Sequence, residues 1–347
     1  MEFWKPGTEY YGGIDLHDRN MYLCVVDRSG EKYAHRRMRN DAELFLRVIE
    51  RYQPSITIAV ECTGTWYWLA DLCADHEIAF ALGHVSYMRA IHGAKAKNDR
   101  IDSEKIARLV QAGLLPKAYA YPRGLRATRD LLRRRLRLVR IRAGMANHVR
   151  ALDSQDNLHI VGQSLKSKSG RAALPAQFAQ EDVSRSVATD IEMMEHLEHA
   201  ISKLERHILA RVKNERTTEL ALLQTTPGVG EILALTILLE MDTVDRFPTR
   251  QKFASYSRLV RCAHTSDGKP VGSGPRRIGN PYLRWAFGEV AVFAAQYSKG
   301  IRSRLERLTS KHGKGKAKTL LAHKFGRAIY YMLKRKTAFD KDRFLNG

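Results

Sequence analysis

The chain has 347 residues, 44% of them hydrophobic, with 59 Lys and Arg against 37 Asp and Glu and a formal net charge of +22. That length suits two or three domains with a substantial core, and that composition excludes a disordered or fibrous chain. So large a positive excess calls for a polyanionic partner, nucleic acid first and an anionic membrane surface second.

No apolar run reaches the ~18 residues that span a bilayer, and neither end carries a lipidation motif. The start, MEFWKPGTEYYGG, lacks a signal peptide's basic opening and apolar run. The expectation is a cytoplasmic protein without a membrane partner. Cys24, Cys62, Cys73 and Cys262 have no metal-ligand spacing and read as reduced thiols in packed positions.

In chain order, a strand is predicted around Gly13–Leu16 and a second over Tyr22–Asp27. "DRSGE" makes a turn, and Lys32–Arg37 can form a third strand. "NDAELFLRVIERY" is an amphipathic helix with Asn40 or Asp41 as N-cap. "SITIAVE" is β-branched and apolar throughout, as a strand buried on both faces requires. A helix follows from about Trp66 to Asp75, then a short strand, "IAFAL". "RIDSEKIARLVQAG" is a helix stopped by Gly113, with Pro116 beyond. The three antiparallel-type strands, the parallel-type strands and the helices resemble the α/β ribonuclease-H-like fold.

After Pro122 the character changes. "RGLRATRDLLRRRLRLVRIR" sets Arg126, Arg129, Arg133, Arg137 and Arg140 at steps of three and four, on one helical face, with Leu125, Leu132, Leu136 and Val139 opposite. Few acids accompany these arginines, so the face is a candidate for phosphate contacts; the plain alternative is a solvated helix face. Residues 154–180 read as a polar loop or hinge. Met194, Leu197, Ile201, Leu204 and Ile208 form an a/d seam of about two heptads, suiting either a coiled coil or a helix packed in a bundle. "TTPGVGEILALTILLE" places a Pro-Gly hairpin between two helices, and its backbone amides could meet a phosphate. "KHGKGKAK", 311–318, reads as a mobile basic loop. Domain limits follow as 1–122, 123–216 and 217–347, the last mainly α.

Four carboxylates stand out. Asp15 lies within an apolar strand, where a charge is costly without a partner. Glu61 ends the apolar strand, and Asp99 and Asp102 share the opening face of a helix. If the first and parallel strands are neighbours, all four converge, and they could not all remain ionised unaided. Oxygen ligands of this kind suit Mg²⁺, with Mn²⁺ able to substitute. Read singly, Asp99 and Asp102 are ordinary favourable charges at a helix start, and Glu61 could face solvent. Trp66, Tyr67 and Trp68 read as core, or as a stacking surface for a base.

"GIDLHD", "VECTGTWYW", "KNDRIDSEKIARL" and "GLLP" resemble the signatures of DEDD-type transposases of insertion-sequence family 110. "TTPGVGEILALTILLE" and "SDGKPVGSGPRRIGNPYLR" are similar to that family's C-terminal domain. The likeness covers nearly the whole chain. It implies a resolvase-like, ribonuclease-H-type domain with Asp15, Glu61, Asp99 and Asp102 on Mg²⁺, and a serine nucleophile in the C-terminal domain. It also implies DNA as substrate and a structured guide RNA, the bridge RNA, as partner.

The family's serine block is followed by glycine, and here "HTSDGK" puts Ser266 at that place with Asp267 after it; Ser273 is second. Lys269, Arg276 and Arg277 could contact the nucleic acid and stabilise charge at phosphorus. Each half looks incomplete alone, so a homo-oligomer, dimer or tetramer, is expected, with the 191–212 helix as a candidate contact. Two other readings stay open: a metal-dependent junction-resolving nuclease with no covalent serine intermediate, and a non-catalytic nucleic-acid-binding protein.

Overall fold

The structure, a computed structural model, describes residues 2–91, 98–260, 263–266, 269–273 and 278–346. It forms two compact units, Met1–Arg123 and Gly124–Gly347.

The first unit is built on one mixed sheet of β1 (Tyr10–Leu16), β2 (Asn20–Asp27), β3 (Lys32–Arg39), β4 (Ile56–Glu61) and β5 (Ala79–Gly83), in the order β3-β2-β1-β4-β5. β2 runs antiparallel to β1 and β3, while β4 is parallel to β1 and β5 to β4. All five strands fall where they were predicted: β1, β2 and β3 run two or three residues longer, β4 starts one residue later at Ile56, and β5 is shifted by one residue. Helices α1 (Ala42–Ile49), α2 (Tyr67–Asp75), α3 (Val85–Ile91) and α4 (Asp99–Gln111) cover the sheet. Asp41 caps α1, its carboxylate accepting from the Leu44 amide at 2.8 Å.

Period-two alternation divides the core. Ile14, Leu23, Val25, Ile58 and Val60 belong to a cluster with Phe45, Ile49 and Leu69. Tyr11, Cys24, Val26 and Ala59 belong to another with Ile106, Ala107 and Val110 of α4. Trp66 is buried in the first cluster, with Tyr67 and Trp68 packed against it, so these rings are core. Cys24 and Cys73 are also buried, and burial pushes their thiols up to about 11 and about 12. Cys62 is exposed, and Cys262 lies outside the described residues.

The second unit is mainly helical: α5 (Arg123–Gln155, its first residue in unit 1), α6 (Val161–Ser164), α7 (Lys168–Ala173), α8 (Glu181–Gln224), α9 (Glu231–Met241), α10 (Arg250–Tyr256), the ladder β6 (Ala263–Ser266) and β7 (Lys269–Ser273), then α11 (Pro281–Tyr297), α12 (Lys299–His312), α13 (Lys314–Arg335) and α14 (Lys341–Asn346). Among the described residues no helix is long and apolar enough to cross a membrane.

Three expectations are corrected here. The α8 seam is filled from within the chain: Leu197 and Ile201 cluster with Leu138, and Met194 with Val149. The ion pairs Arg142–Glu198 and His148–Asp190 run in opposite senses along α5 and α8, so the helices form an antiparallel pair. Of the two readings the stripe left open, a helix packed within the chain is the one that holds. Residues 154–180 are not an open loop, because Val161, Leu165, Leu174 and Phe178 are buried against this pair. Residues 311–318 are not a tether either: Lys311 and His312 end α12, and α13 begins at Lys314. Gly313, at φ +78°, supplies the whole corner.

Candidate functional site

Asp15 sits one residue from the end of β1, on the face that α4 covers. The approach is close because Gly13 has no side chain; a Cβ there would run into the Ala107 amide and the Ser103 carbonyl. With Ser103 and Ala107 over Gly13, the preceding turn of α4 lies over Asp15. Asn98 caps that turn, its side chain accepting from the Ile101 amide at 2.8 Å, and Asp99 and Asp102 occupy the positive end of the helix dipole.

His17 Nε2 stands 3.4 Å from Asp15 Oδ2 and 3.4 Å from Asp99 Oδ2. Burial raises the Asp15 pKa above the usual carboxylate value; His17 counters, and the neighbouring Asp99 and Asp102 push it further up. Asp15, His17 and Asp99 can each bring a ligand atom within 4.8 Å of the other two, a possible metal site. A hard divalent cation takes carboxylate oxygens, and its charge would relieve the crowding that disfavours ionised Asp15, so the donor set fits such an ion.

The other two predicted acids lie nearby without joining that group. Asp102 Oδ1 accepts from Lys105 Nζ at 3.2 Å. Glu61 ends β4 one position beyond the Ile14–Val60 pair, so the register sets it beside Asp15. His17 escaped the sequence reading. Its signal was its place two residues after Asp15, just beyond the strand end. A cavity of about 140 Å³ beside His17 and Asp99 is also lined by Tyr22 and Arg37.

In the second unit the arginines of α5 do not form one open face. Arg126 is buried, and Arg129 is 12% exposed. Arg133 grips Glu240 with two hydrogen bonds, Nε to Oε1 and Nη2 to Oε2, both 2.6 Å. Burial opposes the charge on Arg133, yet these bonds and Glu240's charge raise its pKa. Of the five predicted positions, Arg137 and Arg140 have exposed side chains. A periodic pattern places residues on a face, but long-range carboxylates decide which of them stay open.

Glu240 is buried and also accepts from Asn280 Nδ2 at 2.7 Å. Asn280 in turn caps α11, accepting from the amides of Tyr282 (2.9 Å) and Leu283 (3.1 Å), with Pro281 at the first helical position. Gly279 has φ +89°, and a Cβ there would stand 2.6 Å from the Tyr256 carbonyl. "GNP" is therefore a built corner. It follows the segment containing the predicted serine, and Arg258 Nε ties back to the Ile278 carbonyl at 2.8 Å across that segment.

Within the segment, Ser266 ends β6 and pairs with Lys269, while Ser273 pairs with Ala263 at the far end of the ladder. Arg276, Arg277 and Asp267 lie outside the described residues.

Comparisons with known proteins match the chain in two stretches. A family model for DEDD transposases of IS110 elements matches residues 12–154, and one described as "Transposase IS116/IS110/IS902 family" matches 220–306. A "Probable family 20 transposase" of Pseudomonas aeruginosa is 26% identical, covering 94% of this chain and 97% of its own length. The "Transposase for insertion sequence element IS1111A" of Coxiella burnetii is 22% identical, covering 94% and 90%.

Proposed function

Because the chain belongs to the IS110 family of insertion-sequence transposases, we propose that it cuts and rejoins DNA with two separately built groups: a metal-binding carboxylate set on Asp15, Glu61, Asp99 and Asp102, and the hydroxyl of Ser266. The reading takes residues 1–122 as a ribonuclease-H-like catalytic domain, 123–216 as a helical spacer and 217–347 as the domain carrying the serine. It makes a structured bridge RNA the guide and a homo-oligomer the working form. The observation that carries it is the raised Asp15 carboxyl with Asp99 and His17 gathered beside it at the mouth of β1.

A divalent ion, Mg²⁺ or Mn²⁺, supplies charge stabilisation at phosphorus when bound. The chain's own residues do the rest. Asp15 and Asp99 hold their oxygens on rigid elements, a strand end and a capped helix start. His17 stands between them, 3.4 Å from an oxygen of each, and lowers the pKa of Asp15 against the effect of burial. In the proposed cleavage the Ser266 oxygen forms a bond to phosphorus, the bond from phosphorus to the DNA 3′ oxygen breaks, and that oxygen takes up a proton. The linkage to serine conserves the bond energy, so attack by a 3′ hydroxyl reverses the step and rejoins DNA. Lys269, Arg276 and Arg277 lie near Ser266 in sequence and are candidates to neutralise the phosphate.

Ser266→Ala should abolish cleavage and leave metal and nucleic-acid binding intact. In denaturing electrophoresis of labelled DNA, the wild type should trap a protein–DNA adduct that mass spectrometry assigns to Ser266. An adduct on Ser273 would move the nucleophile, and cleavage without any adduct would make the enzyme a hydrolytic nuclease. Asp15→Asn should be inactive with Mg²⁺ while still binding DNA; full activity would remove Asp15 from the site.

A further inference from the structure

A second concave surface in the helical unit has no role in the chemistry above. A cavity of about 380 Å³ lies along α13 and α14, and Arg250, Arg304, Lys324, Arg327, Arg335 and Arg343 line it. Its one acid is Asp340, whose carboxylate accepts from the Arg343 backbone amide at 2.9 Å as a cap of α14. Among the described residues none of the six cations forms an ion pair. Arg250 Nη1 donates to the Tyr331 hydroxyl at 2.9 Å, and Arg304 Nη1 to the Leu345 carbonyl at 2.8 Å. Arg335 and Arg250 both stand over the Tyr331 ring, at 4.8 and 5.8 Å.

Lys324 is the telling residue. Its ammonium is buried with no hydrogen-bond partner among the described residues, 5.0 Å from the centre of the Phe344 ring. A buried ammonium normally finds an acceptor, because leaving one unmade is costly. Burial, followed by Arg304 and Arg327, lowers the Lys324 pKa. Burial, then Arg327 and Arg250, lowers that of His323 on the same wall. Positive charge here is concentrated with no paired carboxylate among the described residues, as a site for an anion requires.

We propose that this cavity binds a backbone phosphate of a nucleic-acid strand, with Lys324 at its floor and Arg327 and Arg343 at its rim. Phosphate suits the site better than a peptide carboxylate, because its several oxygens can be shared by more than one guanidinium. The aromatic side chains Tyr331 and Phe344 give an adjoining sugar or base an apolar wall. Its lining includes neither the four carboxylates nor Ser266, so the proposal survives or fails independently of the cleavage mechanism.

The test uses the full chain and fluorescence anisotropy with a labelled DNA duplex and a labelled RNA strand, each of arbitrary sequence, over a range of salt. Arg327→Gln, Arg343→Gln and Lys324→Met should each weaken binding and flatten the log affinity against log salt slope, by about 0.9 for the duplex. Arg185→Gln, at an exposed pair with Glu181, should leave the slope unchanged. Lys324→Met should keep or raise the melting temperature, since it removes a buried charge that lacks a partner. Flattening with either probe supports the proposal and identifies the strand type. Unchanged slopes in Arg327→Gln and Arg343→Gln overturn it. So does polyglutamate displacing the strand as well as unlabelled duplex does at equal ionic strength. Protection by inorganic pyrophosphate without any slope change would assign the cavity to a small free phosphate and overturn it too.

Discussion

Along α5, Arg133 is held by Glu240, Arg135 by Glu205 and Arg142 by Glu198. Around α13, six cations face a cavity, and among the described residues no carboxylate is paired to any of them. In sequence the two helices look alike, and α5 is the denser in arginine. What separates them is whether distant segments bring acids to them. Arg133 and Glu240 are 107 positions apart, and the acid is fully enclosed. Arg133, Arg135 and Arg142 of α5 therefore help hold this unit together, while the six cations lining the cavity, three of them on α13, have no paired carboxylate among the described residues. The carboxylates at the start of α4 are the mirror case: acids gathered with too little positive charge among them. On the readings proposed above, both uncompensated clusters serve binding and the compensated one serves folding.

The largest test of that contrast is Glu240→Ala. It strands Arg133 and removes an acceptor from Asn280, so α5, α9 and α11 lose a shared anchor. A loss of about 3 kcal/mol is expected, near the low end for a broken buried pair because Arg133 is partly exposed. Chemical denaturation measures it. The double variant Arg133→Met with Glu240→Leu should recover much of that loss, since it leaves no buried charge; a further drop would mean that the pair itself stabilises the fold.

Gly13→Ala probes the carboxylate side at similar scale. Its methyl meets α4 backbone that cannot rotate away, so a loss of roughly 1–3 kcal/mol is expected, and the turn carrying Asp99 and Asp102 must shift. Thermal melts and a metal titration would read the two effects.

A smaller effect is expected of Asp15→Asn in metal-free buffer. Asp15 holds its proton more tightly folded than unfolded, so ionising it lowers stability. The penalty is absent below its ordinary pKa of 3.8. It grows as pH rises from there through the raised folded value, then stays constant. The variant should therefore melt higher than wild type at neutral pH, with the gap closing in acid. Added Mg²⁺ should raise the wild-type melting temperature, with EDTA reversing the effect, and should do less for the variant.

The smallest change is Arg327→Gln, which should alter stability by no more than about 0.5 kcal/mol. A large loss there would mean that α13 uses its arginines as α5 does.

Much of the first unit was legible beforehand. Strands announce themselves by β-branched runs, α1 by Asp41, the stop of α4 by Gly113, and the odd acid in β1 by its own cost. His17 was missed, because its place two residues after Asp15 is a weak signal by itself; only the converging of β1 and α4 gives it two carboxylates. The Arg126–Arg140 face failed for the opposite reason. Its periodicity was real, but periodicity says nothing about what packs against it. The same holds for the α8 seam, which a second helix of the same chain fills, and for residues 311–318, where one glycine at positive φ turns a lysine-rich stretch into the corner between two helices.

The sequence by itself determined most strands and helices of the first unit and the family signatures, because these follow from short-range spacing and capping. Tertiary structure decided which charges are neutralised. Whether Arg133 finds Glu240, or Lys324 finds no hydrogen-bond acceptor among the described residues, depends on chain segments far apart in sequence arriving at one place, and no local pattern carries that information.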